Sequence, residues 1–230
     1  MKPWYRCFSA FEYALWGGST LLILLSFWRF GGSSYLTPVA SLIGVTSLIF
    51  SAKGHPVGQL LMVVFSVLYG VISYSSAYYG EMITYLGMTA PMALYSLVVW
   101  IRHPFRGRRS EVTVGRLPAW EYGVMALLTV AVTVLFCFVL RAFDTAYLPL
   151  STLSVTTSFA AVYLTARRSP LYALAYAAND IVLIVLWILA ARAERSYISV
   201  VVCFAVFLVN DLYGFVGWRR MERRQREAER

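Results

Sequence analysis

Of 230 residues, 60% are hydrophobic and only 13% charged, whereas a water-soluble domain averages about 45–50% apolar and about 25% charged residues, so a soluble fold is nearly excluded. The net charge of +9 does not point to nucleic acid, because the basic residues sit in short clusters between apolar runs and not along one stripe. Cys7, Cys137 and Cys203 lie far apart and build neither a disulfide framework nor a metal cluster.

The first apolar run, 11–28, follows Lys2 and Arg6. It is longer than a secretory h-region, and Arg29-Phe30-Gly31-Gly32 lacks a small-x-small cleavage pattern, so a retained span is expected. A helix crossing the hydrocarbon core needs roughly 17–25 mostly apolar residues. Seven further runs follow, at 35–51 (the shortest), 57–79, 82–101, 119–140, 147–166, 171–191 and 197–218. They are continuous where barrel strands would alternate, so strands are not expected. Every Lys and Arg falls between runs, consistent with a cost of about 2.5–3.5 kcal/mol for a charge at mid-bilayer. Sixteen lie on one side and four, Arg29, Arg141, Arg192 and Arg195, on the other. That asymmetry places both termini and the 102–118 loop in the cytoplasm.

An internal repeat is visible. Leu94-Tyr95, Trp100 and Arg102 recur as Leu212-Tyr213, Trp218 and Arg220, 118 residues later. Upstream, Val45-Thr46-Ser47 resembles Val155-Thr156-Thr157, and Ala52-Lys53-Gly54-His55-Pro56 resembles Ala166-Arg167-Arg168-Ser169-Pro170. Three spans reverse the chain, so one linker span lets a second triplet enter from the same side as the first, giving parallel repeats. The expected plan is an all-α membrane protein of eight spans. It comprises an extra N-terminal helix (1–30), a first triplet (35–102), a basic cytoplasmic loop (103–118), a linker helix (119–140), a second triplet (147–220) and a basic cytoplasmic tail (221–230).

Tyr172, Tyr176, Asn179, Asp180, Leu183 and Trp187 share one face of the seventh span. Polar groups at mid-bilayer are expensive and face a cavity or a partner, although an Asn can serve packing alone. The eighth span repeats the theme with Asn210 and Asp211. No base lies inside the spans to neutralise the acids, so either the carboxyls are protonated or a cation visits them. In the first triplet, Gln59, Met62, Ser66, Tyr69, Ser73 and Ser76 form a polar stripe, and Met62, Ser66 and Ser73 match Tyr176, Asp180 and Trp187 at an offset of 114. Both stripes are expected to face one central chamber, with packing by small residues as the alternative. Trp28, Trp100, Trp120, Trp218 and Tyr197 lie near span ends and are expected to anchor at the interface. Glu81, in a short outer turn, is expected to be solvated or to lie at a cavity mouth. His55 and His103 have no partner at metal-ligand spacing, so no metal or other cofactor is expected.

The basic turn Ala52-Lys53-Gly54, the Tyr79-Gly80-Glu81 turn, Val155-Thr156-Thr157, the Arg167-Arg168 turn, the Asn-bearing seventh span and the ending Asn210-x2-Tyr213-Gly214-x3-Trp218 together resemble PnuC-type vitamin transporters, over about 35–220. The resemblance implies a SWEET-like 3+1+3 fold, often a homotrimer, in a bacterial cytoplasmic (inner) membrane. It implies facilitated diffusion of nicotinamide riboside, trapped afterwards by a cytoplasmic kinase. The site carried over comprises Tyr172, Tyr176, Asn179 and Asp180, with Gln59, Tyr69 and Asn210. Where typical members have tryptophans this chain has Tyr172, Ala173, Ala175 and Tyr176, so thiamine, riboflavin or a deoxynucleoside are alternative cargoes. Nicotinamide riboside and thiamine are cations, which suits Asp180 and Asp211.

Two carboxylates on neighbouring spans would also satisfy an intramembrane aspartyl protease, but its Gly-x-Gly-Asp sequence is absent, and no enzyme is expected. A substrate-capture subunit of an ATP-driven importer is a further alternative. The chain has no Gly-x4-Gly-Lys-Ser/Thr loop of its own.

Overall fold

Eight apolar segments form helices in the computed structural model, which describes residues 8–31, 35–75 and 79–230. Within lipid, only a helix satisfies its own backbone groups over such a run. The helices are α1 (Ala10–Phe30), α2 (Leu36–Ala52), α3 (Pro56–Ser75), α4 (Tyr79–Thr84) continuing through a π-turn (Tyr85–Thr89) into α5 (Ala90–Arg102), α6 (Ala119–Ala142), α7 (Leu148–Ala166), α8 (Tyr172–Ala191) and α9 (Ile198–Glu229). Among the described residues, seven segments are long and apolar enough to cross a membrane, and α2, with 17 residues, is shorter. Lys2, Arg6, Cys7 and Ser76 lie outside the described residues.

Three boundaries differ from expectation. Tyr79-Gly80-Glu81 is not a turn but the first turn of α4. The tail at 221–230 is not a loose basic segment, because α9 runs helically to Glu229. The basic loop folds into a hairpin, β1 (Pro104–Phe105) and β2 (Arg108–Val112). The two additions support each other. Gln225, buried on α9, accepts from the Val114 N–H at 2.8 Å and donates to Glu111 and the Val112 carbonyl at 2.9 and 3.0 Å.

The same backbone pattern closes α2 and α7. His55 N–H bonds the Phe50 carbonyl and Ser169 N–H the Leu164 carbonyl, both at 3.0 Å. Gly54 (φ +66°) and Arg168 (φ +57°) occupy the same left-handed position. His55 Nδ1 accepts the Val57 N–H at 3.2 Å, and Ser169 Oγ accepts the Leu171 N–H at 3.4 Å. Burial holds the His55 imidazole below its ordinary pKa, which keeps that accepting nitrogen free of a proton. The hairpin and its exit strap both turns together, with Val112 N–H on the Gly54 carbonyl at 3.0 Å and Gly115 N–H on the Arg168 carbonyl at 2.9 Å.

Trp100 and Trp218 are the largest correction. Both are 0% exposed, and they are not interfacial anchors. Their rings meet at 5.3 Å, and their indoles reach across in opposite directions. Trp100 Nε1 donates to the Thr165 carbonyl of α7 at 3.0 Å, and Trp218 Nε1 donates to the Ser51 carbonyl of α2 at 2.7 Å. Tyr197 is half-buried and packs on Trp187 at 5.1 Å. Trp28 and Trp120 are exposed, as an anchor requires.

Two buried carboxylates fasten α1 and α6. Glu12 closes a capping box with Ser9, pairs with Lys53 at 2.7 Å and accepts the Tyr213 hydroxyl at 2.6 Å. Glu121 pairs with Arg167 at 2.7 Å and accepts the Tyr163 hydroxyl at 3.0 Å. Glu121→Gln is expected to lower stability by roughly 1–3 kcal/mol, because a buried acceptor set is lost while its partners remain. A thermal shift in detergent checks this, and an unchanged midpoint refutes it.

Candidate functional site

The ion pairs among the described residues all lie at the end carrying the basic turns. Further in, acids stand without bases. Asp180 on α8 and Asp211 on α9 are buried and lie within electrostatic range of each other. Helix geometry explains the meeting, since α8 and α9 pack along their lengths and both acids sit near mid-helix. Asp180 Oδ2 has no hydrogen-bond partner, and neither do the buried Ser66 and Ser96 hydroxyls.

Tyrosines line up along this pair. Tyr172 packs edge-on against Trp218 at 5.0 Å and against Tyr176 at 6.2 Å. Tyr176 is within electrostatic range of both carboxyls, and Tyr85 of Asp180 and Tyr176. Tyr69 meets Tyr85 at 4.5 Å, the rings tilted by 50°, and Phe204 at 6.2 Å. Met62, Phe65 and Phe207 fill in around these rings. The structure therefore brings Tyr172, Tyr176, Asp180, Asp211 and Tyr69 into one succession of rings and acids.

The remaining candidates go elsewhere. Asn179 turns its carbonyl oxygen to α7, where Ser154, Thr157 and Ser158 donate at 3.3, 2.9 and 3.0 Å. Asn210 donates to Ser19 of α1 at 3.0 Å and to the Val206 carbonyl at 2.8 Å. Its amide nitrogen therefore joins α1 to α9, while its buried Oδ1 has no hydrogen-bond partner among the described residues. Gln59 donates to Ser51 at 3.4 Å within its own triplet. Trp187 lies farther along α8, on a cavity of about 250 Å³ at the end opposite the basic turns. Glu81 is 6% exposed and lines that cavity, which corrects its reading as a solvated acid.

Tyr85 escaped the sequence reading because it opens the π-turn, where one extra residue shifts the helix face. The hydroxyl trio was visible in principle. Ser154, Thr157 and Ser158 stand at i, i+3 and i+4, hence on one face.

No group of three or more His, Cys, Asp or Glu able to hold a metal occurs among the described residues. Two carboxyls beside phenol rings can instead receive a cation that carries a flat ring.

Comparisons with known proteins agree with this chemistry. The family model described as nicotinamide mononucleotide transporter matches residues 34–220. The chain is similar to the nicotinamide riboside transporter PnuC of Neisseria mucosa, 25% identical over 200 residues, covering 85% of this chain and 76% of that protein. It is also similar to the nicotinamide riboside transporter PnuC of Haemophilus influenzae, 22% identical over 207 residues, with 89% and 88% covered. In fold it resembles the crystal structure of a vitamin B3 transporter PnuC, with a TM-score of 0.82 at 21% identity over 98% of this chain and 99% of that one.

Proposed function

The chain belongs to the nicotinamide mononucleotide transporter family, and on that premise we propose that this multi-pass membrane protein carries nicotinamide riboside across the bilayer. The observation that carries the reading is the Asp180–Asp211 carboxyl pair, buried beside tyrosines with no base paired to it among the described residues. Nicotinamide riboside has the matching chemistry, a pyridinium charge on a flat ring. Its ring would lie against Tyr176 and Tyr172 while a carboxylate balances its charge. Two relatives named as nicotinamide riboside transporters support the choice. Thiamine, also a ringed cation, is the second reading, favoured by tyrosines and alanines where typical members have tryptophans.

The architecture proposed with it is eight spans in two like-oriented triplets, α2–α5 and α7–α9, with α6 as linker and α1 beside the first. The matching turns at Gly54 and Arg168 and the reciprocal tryptophan bonds support a twofold relation along the membrane normal, as in SWEET-like carriers. The basic turns would face the cytoplasm of a bacterial inner membrane, with both termini on that side. A homotrimer is the assembly that the family resemblance suggests.

Transport is proposed to run by facilitated diffusion, with a cytoplasmic kinase trapping the product, because among the described residues no base is paired with Asp180, Asp211 or Glu81 to build a charged relay. Uptake of labelled nicotinamide riboside into sealed vesicles is expected to survive collapse of ion gradients by an uncoupler. Complete arrest on adding the uncoupler would overturn the mode of transport. No uptake of any candidate cation would overturn the function.

A further inference from the structure

At the end opposite the basic turns, the start of α4 meets the loop between α6 and α7 and the last turns of α8. Their junction encloses the cavity of about 250 Å³. Its lining contains two acids, Glu81 and Asp144, and no base. Four aromatic residues, Tyr79, Phe143, Tyr147 and Trp187, stand around it. Tyr79, Phe143 and Tyr147 are exposed, while Trp187 is buried.

Glu81 has no evident structural duty. An acid in the first turn of a helix suits the helix dipole, but it does so equally well in water. Here the side chain is buried, and among the described residues its Oε2 has no hydrogen-bond partner; nor does the buried Thr145 Oγ1, which shares the lining. A polar atom left this way costs about 1–3 kcal/mol. The packing also requires the close approach, since a Cβ on Gly80 would fall 2.6 Å from Thr145 Cγ2. An acid at the floor of a cavity with an aromatic rim is the arrangement that receives organic cations, through charge below and ring faces beside.

The cavity is separate from the central carboxyl pair. Neither Asp180 nor Asp211 lines it, while Tyr85, whose ring centre lies 4.5 Å from that of Tyr69, is within electrostatic range of both Glu81 and Asp180. We propose that this cavity is an entry site for an organic cation bearing a flat aromatic ring, with Glu81 as its counter-charge, occupied before the cargo passes the tyrosine pair. The inference rests on the orientation proposed above, but not on the central site.

The probe is 1-methylnicotinamide, a pyridinium cation, compared with neutral nicotinamide. Ala146, exposed on the rim, becomes the reporter as Ala146→Cys, in a full-length chain whose Cys7, Cys137 and Cys203 are replaced. Intact cells are labelled with a membrane-impermeant maleimide. The cation is expected to slow labelling saturably, and nicotinamide is not. Adding Glu81→Gln should raise the half-protecting concentration about tenfold or more, the effect of losing one desolvated cation–carboxylate contact. Adding Asp180→Asn should leave protection intact. If the Gln variant fails to reach the membrane, Glu81→Asp decides, with a smaller loss expected. Protection indifferent to Glu81, equal protection by nicotinamide, protection by sodium alone, or labelling only after the cells are opened would each overturn the proposal. Protection without nicotinamide riboside uptake would leave the entry site standing and remove the proposed cargo.

Discussion

Asp180→Asn is expected to reduce nicotinamide riboside uptake by roughly 10- to 100-fold, the equivalent of one charge-assisted contact in a desolvated site. Asp211→Asn should act similarly, and the double variant should lose much less than the product of the two, because the two carboxyls interact and are proposed to share one role. Uptake is to be measured against protein inserted in the membrane, so that expression does not mimic the effect. The neutral dihydro form of the nucleoside supplies the contrast, since its transport should hardly change. Wild-type uptake by both single variants would remove the pair from the pathway of the cation.

The second large effect is structural. Trp100→Ala or Trp218→Ala should each cost about 3–5 kcal/mol, as truncations of fully buried large side chains do. Phenylalanine keeps most of the packing and loses only the indole bond to the Thr165 or Ser51 carbonyl, so about 1 kcal/mol is expected for each such variant. Because the two rings pack against each other at 5.3 Å, the double alanine variant should fall short of the sum. Unfolding followed in detergent micelles tests all of these, and full stability in Trp218→Ala would show that neither the packing of the ring nor its indole bond supports the fold.

Helix number and order were legible because lipid leaves a chain few options. A run of suitable length without charges must be helical, and Lys53, Arg102, Arg141 and Arg167 mark where each run stops. Ends were less legible. Polar residues after Trp218 looked like a loose tail, yet Gln225 and Arg224 have partners on the hairpin, and those contacts keep α9 helical to Glu229. Tryptophans near span ends usually anchor. At Trp100 and Trp218, tertiary contact overrode that habit, and only their recurrence at one offset hinted at a paired role.

The candidate site was half legible. Asp180, Asp211, Tyr172 and Tyr176 could be grouped by helical period, because period reports a face. It does not report which neighbour that face meets. Asn179 and Asp180 are adjacent in sequence, yet one turns to the hydroxyls of α7 and the other to Asp211 on α9. Asn210 found Ser19 on a helix read as lying outside the repeat. The sequence did carry a signal there. Ala10-Phe11-Glu12-Tyr13 is echoed by Ala119-Trp120-Glu121-Tyr122, and each glutamate holds the basic residue at the same cap position, Lys53 or Arg167.

The strap across the basic turns bears on how cargo could leave on that side. One short stretch of backbone is tied at Val112 to Gly54 and at Gly115 to Arg168, so a turn that swings away must either break its bond or drag the stretch, and with it the other turn. Movements of the two turns are thereby coupled for as long as both amides hold. Lengthening the stretch between those two anchors should therefore loosen the timing of exit without touching any residue that meets the cargo.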